Sequence, residues 1–310
     1  MQIIYIRQDC KLIVDSRKPN QMDITPCDAT LGAVVTGTDL SDDLDDATFA
    51  AIEAAWYDRG VLIFPQQGLD DWAHIAFSRR FGKLERSIKD EANENPEIIM
   101  LSNLKADGSL WPHKSEHGLF LAGNRGWHTD SSFKRVPAMA SLLAAHQVPD
   151  SGGGTEFADM RAAYDDLEAG MQAWLEDKVA VHSYLYSQGL VGGLAVLTAE
   201  EQTALPPVEH AMVRRHPKTG RKNLYMGRHA SHIQGRDEEE SRALLQELVD
   251  NACQPPRTIT HVWRAGDLVI WDNRCILHRG QVWPGDQARV MARTTVAGEV
   301  DGNGGNEWNL

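Results

Sequence analysis

The order of the predicted helices and strands is the feature of this 310-residue chain that most restricts its fold. Apolar periodicity predicts two early helices, over 45–60 and 69–82, with a short apolar strand between them. Helical periodicity returns over 160–178 and 237–252, whereas 260–298 consists of strand-like runs separated by turn residues. A regular alternation of strands and helices would predict a parallel sheet, and this order lacks it. The sequence therefore predicts an α+β or mostly β sandwich.

A single domain is predicted over 1–310, because the chain contains no internal repeat, no low-complexity tract and no Pro/Ser-rich linker. The length alone would also suit two domains, although large β barrels and sandwiches reach this size as one unit. Residues 104–126 are polar, contain glycine and show no periodicity. A loop of that length in a compact domain is usually functional, so we predict a lid-like loop there.

Composition disfavours several kinds of partner. The net charge of −13 argues against a nucleic-acid or anionic-membrane surface, since both need a basic footprint. Small anionic substrates remain compatible with it, because a local arginine pocket can outweigh the global field. No apolar stretch approaches the ~20 residues of a membrane span. The first residues, "MQIIYIRQDCKLIV", interrupt their apolar run with charges, which is not typical of a secretory signal.

The cysteine pattern indicates the redox state of the cellular compartment. Cys10, Cys27, Cys253 and Cys275 are scattered along the chain without CxxC spacing. This pattern is typical of free thiols in a reducing compartment, so we predict four free thiols and a cytoplasmic protein. The sequence leaves the oligomeric state open, and a homo-oligomer is compatible with it.

The stretch "NRGWHTDSSFKR" (124–135) contains a candidate for a metal site. Alternate residues of an extended segment point to the same side, so His128 and Asp130 would share a face. A mononuclear non-haem iron site needs two imidazoles and one carboxylate on one face of the metal. His278, at the end of the strand-like run "WDNRCILHRG", is the candidate for the second imidazole. The pair by itself would equally suit a hydrogen-bonded polar turn.

Two arginines follow in "ARVMARTT". Arg289 and Arg293 are four residues apart, an even spacing that puts both on one face of a strand. Two cations on an inward face are unfavourable unless anions compensate them, so this pattern indicates an anion site. An exposed sheet edge is the alternative. Thr155 follows the glycines of "SGGG", where a close turn can bring its hydroxyl to an incoming carboxylate.

Five segments together resemble the taurine dioxygenase / 2,4-dichlorophenoxyacetate dioxygenase family, in order and with compatible spacing from about residue 24 to 298. They are "WHTDSSF", "PDSGGGTEFADMRAAYDDL", "HPKTGRKNLYMGRHASHIQG", "WDNRCILHRG" and "ARVMARTT". The resemblance implies a mostly β fold with flanking helices around a double-stranded β-helix, or jelly roll. It also implies Fe(II) as the metal, with 2-oxoglutarate and O2 as cosubstrates.

The resemblance assigns roles to the candidate residues. It implies three iron ligands: His128, Asp130 and His278. It places the distal carboxylate of 2-oxoglutarate on Thr155 and Arg289. It places the anionic group of the organic substrate on Arg293, which can also touch the cosubstrate. Further candidates for substrate contact are Asn124, Ser131 and Lys89, and a solvated surface lysine is the alternative for Lys89.

The resemblance is closer to the phenoxyacetate branch, because "FGKLERSIKD" lacks the histidine that taurine enzymes carry there. It implies hydroxylation of the carbon next to the anionic group of a small organic acid. For an aryloxyalkanoate of the phenoxyacetate or phenoxypropionate type, the ether then breaks to give a phenol and an oxo acid. The same chemistry on a sulfonate, a sulfate ester or an N-alkyl amino acid stays open. A zinc-dependent hydrolase with the same three ligands and a non-catalytic jelly-roll binding protein are alternatives of other classes.

Overall fold

The computed structural model describes residues 2–6, 10–14, 21–86, 95–112, 114–197 and 199–299. Its α-helices are α1 (Asp46–Arg59), α2 (Asp71–Arg79), α3 (Glu116–Gly123), α4 (Met160–Asp165), α5 (Ala169–Leu175), α6 (Tyr184–Gly189), α7 (Ala199–Ala204) and α8 (Glu238–Ala252), with a 3-10 helix over Gly193–Val196.

The strands are β1 (Gln2–Ile6), β2 (Cys10–Val14), β3 (Asp23–Pro26), β4 (Ala33–Thr36), β5 (Val61–Phe64), β6 (Ile99–Ser102), β7 (Ala140–Gln147), β8 (Thr155–Asp159), β9 (Val179–His182), β10 (Val208–Ala211), β11 (Val213–Arg215), β12 (Lys222–Leu224), β13 (Ala230–Ile233), β14 (Thr258–His261), β15 (Leu268–Asp272), β16 (Ile276–Gly280) and β17 (Val290–Val296).

Two sheets carry the residues of interest. The larger has seven strands in the order β3-β4-β5-β15-β7-β17-β6, and the smaller has the order β14-β8-β16. Both β14 and β16 pair with β8 in the antiparallel sense. In the large sheet β4 and β5 are parallel, whereas β15, β7 and β17 pair antiparallel. The prediction of a sheet-rich fold with flanking helices is therefore confirmed.

The two faces of the large sheet pack against different layers. In β5, Leu62 and Phe64 belong to an apolar cluster that also contains Trp56 of α1. Val61 and Ile63 of the same strand belong to a second cluster, which includes residues of β8 and β16. This alternation follows from the two-residue period of a strand. Helices thus cover one face of the large sheet, and the small sheet covers the other.

Helix α1 shows how local sequence produces the helical layer. The N-cap Asp45 accepts a hydrogen bond from the backbone N–H of Thr48, which satisfies one of the free donors of the first turn. Gly60 ends the helix at φ 73°, a left-handed conformation that glycine adopts without steric cost. Ile52 and Trp56 are buried, and each such side chain stabilises the fold by about 1.5–3 kcal/mol.

The structure corrects two predictions about helices. The segment 104–126, predicted as a loop, contains α3 (Glu116–Gly123), whose N-cap Ser115 accepts from the backbone N–H of Gly118. Two helical turns with a glycine inside are too short to give a clear periodic signal. The helix predicted over 160–178 is two helices, α4 and α5, because the chain turns at residues 166–168.

The cysteine prediction is wrong in part. Cys253 and Cys275 are free and buried, but Cys27 is disulfide-bonded. Spacing along the chain says nothing about which sulfurs the fold brings together, so the sequence pattern could not reveal this bond. The side chain of Cys10 lies outside the described part. Among the described helices, none combines the length and apolar character that a membrane crossing requires.

Candidate metal centre and anion cavity

The three candidate metal ligands meet where the chain segment 127–130 joins strand β16. The backbone N–H of His128 donates to the carbonyl of His278 at 3.0 Å, and the reverse bond measures 2.7 Å. The Nε2 atoms of His128 and His278 lie 3.9 and 3.7 Å from the two carboxylate oxygens of Asp130. All three side chains are buried, and one ligand atom of each lies within 4.8 Å of the others. The structure thus brings together the three residues that the sequence singled out.

Hydrogen bonding orients the first imidazole. Nδ1 of His128 lies 2.7 Å from the carbonyl oxygen of Gly126. A carbonyl oxygen only accepts, so Nδ1 carries the proton and Nε2 presents its lone pair to the cluster. This arrangement is typical of histidines that bind metals.

Electrostatics gives the cluster the protonation states that a metal requires. Burial and the neighbouring His278 hold the pKa of His128 well below its usual value. Burial lowers the pKa of His278 to about 4. Burial alone would raise the pKa of Asp130, but Arg293 and the two imidazoles together hold it below its usual range. Two neutral imidazoles and one ionised carboxylate result, and these are the forms that bind a cation.

Two side chains donate hydrogen bonds to the carboxylate of Asp130. Arg293 Nη1 donates to Oδ1 at 2.7 Å, and the hydroxyl of Ser141 donates to Oδ2 at 2.7 Å. The sequence predicted that Arg293 would face the organic substrate. In the structure Arg293 lines the cavity and also pairs with the candidate ligand Asp130, a contact that spacing along the chain did not indicate.

A second group of potential ligands, His216, Asp272 and Cys275, lies within the same 4.8 Å limit. Arg274 donates to both carboxylate oxygens of Asp272, and His216 donates to Oδ2 as well at 2.9 Å. Burial raises the pKa of Cys275, so its thiol stays protonated. This group is a buried ion pair with its hydrogen bonds satisfied, and we do not interpret it as a metal site.

A cavity adjoins the first cluster. Its walls include His128 and His278 together with Thr155, Arg289 and Arg293. These five residues therefore line one cavity, although they come from different parts of the fold. Thr155 lies on β8, His278 on β16 and Arg293 on β17, whereas His128 and Arg289 lie on the segments before β7 and β17.

Arg289 is a buried cation in this cavity. Its Nε donates to the carbonyl of Gly153 at 3.0 Å, and its guanidinium lies 5.3 Å from the ring centre of Trp283. Burial lowers its pKa to about 10, so the side chain stays charged near neutral pH. Within the described ranges no acidic side chain pairs with it. A buried, unpaired guanidinium is unfavourable alone, and an anionic ligand would stabilise it.

The glycine turn before β8 shapes the same end of the cavity. Gly152 and Gly153 have φ of 71° and 66°, a region that side chains disfavour. A Cβ at Gly153 would lie 3.3 Å from Nε of Arg289, so the close approach also requires glycine. Thr155 follows, and its Oγ1 accepts from the indole N–H of Trp263 at 2.9 Å. The hydroxyl proton of Thr155 is not used in this bond and can be donated to a ligand.

The three candidates for substrate contact have different outcomes. Asn124 lines the cavity. Ser131 is absent from the described lining, because φ of 58° turns the chain and its hydroxyl donates to Glu85 at 3.3 Å. Lys89 lies outside the described residues. Arg125, an exposed cation beside Asn124, also lines the cavity and was not predicted from the sequence. One charge within a loop gives no periodic signal that could have identified it.

These features define a class: a sheet-rich protein that holds two neutral imidazoles, a carboxylate and a buried arginine around one cavity. This donor set is typical of mononuclear non-haem iron oxygenases. The model of the Taurine catabolism dioxygenase TauD, TfdA family matches residues 23–295. The chain belongs to this family, and the sequence resemblance is confirmed.

Individual relatives are similar over nearly the whole chain. The (S)-phenoxypropionate/alpha-ketoglutarate-dioxygenase of Sphingobium herbicidovorans is 44% identical over 284 residues, covering 89% of this chain and 95% of that protein. An alpha-ketoglutarate-dependent 2,4-dichlorophenoxyacetate dioxygenase from a Burkholderia species is 40% identical over 261 residues, covering 82% and 87%. The crystal structure of AAD-2 in complex with Mn(II) and N-oxalylglycine has a TM-score of 0.84 at 38% identity, covering 94% and 99%.

Proposed function

We propose that this member of the dioxygenase family uses Fe(II), 2-oxoglutarate and O2 to hydroxylate the carbon next to the anionic group of an aryloxyalkanoate. In a phenoxyacetate or phenoxypropionate that carbon also bears the ether oxygen. Its hydroxylation gives a hemiacetal, which breaks to a phenol and an oxo acid. The observation that carries the proposal is a buried, unpaired cation, Arg289, in the same cavity as the two candidate imidazole ligands. The similarity to phenoxypropionate and dichlorophenoxyacetate dioxygenases supports the substrate class.

In this proposal the two sheets are the halves of a double-stranded β-helix, and the chain is one domain. The shared apolar cluster between the large sheet and β8/β16 supports the packing. A family match over 23–295 as one unit supports the single domain. The segment 104–126, with α3 inside it, would cover the cavity, since Leu121 of α3 contributes to the cavity wall.

His128, Asp130 and His278 would hold the iron. The fit rests on their buried positions, on the Nε2 lone pair of His128 and on the ionised carboxylate of Asp130. Bound iron together with 2-oxoglutarate supplies the oxidising chemistry that breaks a C–H bond. AAD-2 was crystallised with Mn(II) and N-oxalylglycine, which supports a divalent metal beside a dicarboxylate.

The remaining groups would position the two organic acids. Arg289 and Thr155 would bind the distal carboxylate of 2-oxoglutarate, because both lie at the end of the cavity that the glycine turn shapes. The charge of Arg293 is already matched by that of Asp130. We therefore place the substrate anion between Arg293 and Arg125, where a second cation lines the same cavity. Asn124, beside Arg125, would add a neutral hydrogen bond.

The reaction class has a direct test. With phenoxyacetate or phenoxypropionate, turnover should require Fe(II), 2-oxoglutarate and O2 together, and should yield one succinate for each phenol. Zn2+ should inhibit, because it occupies such a site without redox chemistry. Succinate formation is measured across a panel of aryloxyalkanoates, alkylsulfonates, sulfate esters and N-alkyl amino acids. Full activity with Zn2+ under anaerobic conditions would instead make the protein a hydrolase, and a panel response to sulfonates alone would overturn the substrate class.

Replacing Arg125 with glutamine tests the placement of the substrate anion. A charge-assisted hydrogen bond contributes about 1.5–3 kcal/mol, and the exposure of Arg125 favours the lower end. We expect the KM for phenoxypropionate to rise roughly 10-fold, with little change in the KM for 2-oxoglutarate. Arg215→Gln is the matched control, because Arg215 is exposed and lies outside the cavity wall. Equal KM values for Arg125→Gln and the wild type would leave the substrate anion to Arg293 alone.

A further inference from the structure

Asn273 connects the two chain segments that carry the candidate ligands. It follows β15 directly and precedes His278 by five residues. Its Oδ1 accepts from the backbone N–H of Asp130 at 3.1 Å and from the indole N–H of Trp271 at 3.0 Å. Its Nδ2 donates to the hydroxyl of Ser141 at 2.9 Å. The side chains of this group are all buried.

The orientation of the Asn273 amide is determined by its neighbours. A backbone N–H and an indole N–H can only donate, so the oxygen of the amide must face Asp130 and Trp271. The NH2 group must then face Ser141. If the amide were rotated by 180°, its NH2 group would face these two donors and both hydrogen bonds would be lost.

The direction of the next hydrogen bond follows from this. An amide NH2 group can only donate, so Oγ of Ser141 accepts from Asn273. The hydroxyl proton of Ser141 is then left for Oδ2 of Asp130, 2.7 Å away. Since Arg293 holds Oδ1 from the other side, both oxygens of the carboxylate have a fixed donor and the plane of the carboxylate is set.

We propose that Asn273 is a positioning residue, which orients the Asp130 carboxylate for metal binding both through Ser141 and through the Asp130 backbone. The proposal rests on the proposed metal site. The main-chain carbonyl of Asn273 also accepts a hydrogen bond from the hydroxyl of Thr129 at 2.6 Å. Asn273 therefore fixes the segment of His128 and Asp130 to the segment of His278, and metal affinity depends on this alignment. Removing groups that orient a ligand typically weakens metal binding by about 10–100-fold.

The test is an equilibrium titration of the full chain with Co2+, without 2-oxoglutarate, followed by visible absorption. Ser141→Ala and Asn273→Ala should each weaken Co2+ binding by about 10–100-fold. The double variant should weaken it by less than the product of the two single effects, because part of the Asn273 effect passes through Ser141. Ser141→Ala removes a single hydroxyl, so it still tests the inference if Asn273→Ala fails to fold.

The matched control is Asn223→Ala. Asn223 is also a buried asparagine, and its Nδ2 donates to the carbonyl of Arg214 at 3.2 Å. We expect this variant to lose thermal stability and to keep wild-type Co2+ affinity, which separates a structural loss from a positioning effect. The role of Asn273 would be overturned if Ser141→Ala or Asn273→Ala bound Co2+ with wild-type affinity. It would also be overturned if the loss of affinity in the double variant equalled the product of the two single losses. If the wild type binds Co2+ no better than His278→Ala does, the proposed metal site fails and this inference with it.

Discussion

His278→Ala is expected to lose metal binding and turnover together, with activity falling more than about 100-fold. Changes to groups that only orient a ligand typically cost about 10–100-fold in affinity or activity, and the loss of a ligand itself should cost more. The two remaining candidates, His128 and Asp130, supply one imidazole and one carboxylate. The facial iron site needs two imidazoles and one carboxylate, so one ligand would be missing. Iron content and succinate formation are measured on the purified variant at limiting Fe(II).

The control for this variant is His232→Ala. His232 is a half-buried histidine outside the candidate cluster, and its Nδ1 lies 3.0 Å from the hydroxyl of Ser231. It should keep wild-type metal content and activity. Wild-type activity of His278→Ala at limiting iron would show that the three-ligand assignment is wrong.

Arg289→Gln is expected to raise the KM for 2-oxoglutarate by roughly 30- to 4000-fold. An arginine–carboxylate pair is charge-assisted and can form two parallel hydrogen bonds. Losing one partner of a buried pair costs about 2–5 kcal/mol, which corresponds to that range at about 1.4 kcal/mol for each factor of ten. The KM for the organic acid should change far less. Both constants are measured by succinate formation at saturating concentrations of the other substrate.

Arg289→Gln should lose affinity for 2-oxoglutarate without losing thermal stability in the ligand-free state. Without a ligand, the guanidinium of Arg289 is buried and pairs with no acidic side chain among residues 21–86, 95–112, 114–197 and 199–299. Its replacement removes a desolvated charge and breaks one hydrogen bond, to Gly153, so the Tm of the ligand-free protein should not fall. At one concentration of 2-oxoglutarate, the Tm of the wild type should rise more than the Tm of Arg289→Gln, because the variant binds the ligand more weakly. An equal ligand-induced shift in Arg289→Gln would place the cosubstrate elsewhere.

The sequence determined the residues that local patterns can identify. The two-residue period of a strand predicted that His128 and Asp130 share one side. The spacing of four residues, also even, predicted the same for Arg289 and Arg293. Helix α1 was predictable because its N-cap, its apolar period and its terminal glycine all lie within sixteen residues. The strand-like run before His278 and the glycine turn before Thr155 identified these two residues, and the family resemblance then implied their roles. The structure places both on the wall of the same cavity.

The tertiary structure decided the contacts between segments that are distant along the chain. Asn273 and Ser141 are 132 residues apart, and they meet because β15 pairs with β7 in the register that puts Trp271 opposite Ser141. No local pattern encodes that register, since it depends on how the two sheets bury their apolar faces. The ion pair between Arg293 and Asp130, 163 residues apart, arises in the same way. Local chemistry therefore identified the candidate ligands, and long-range strand pairing determined which side chains orient them.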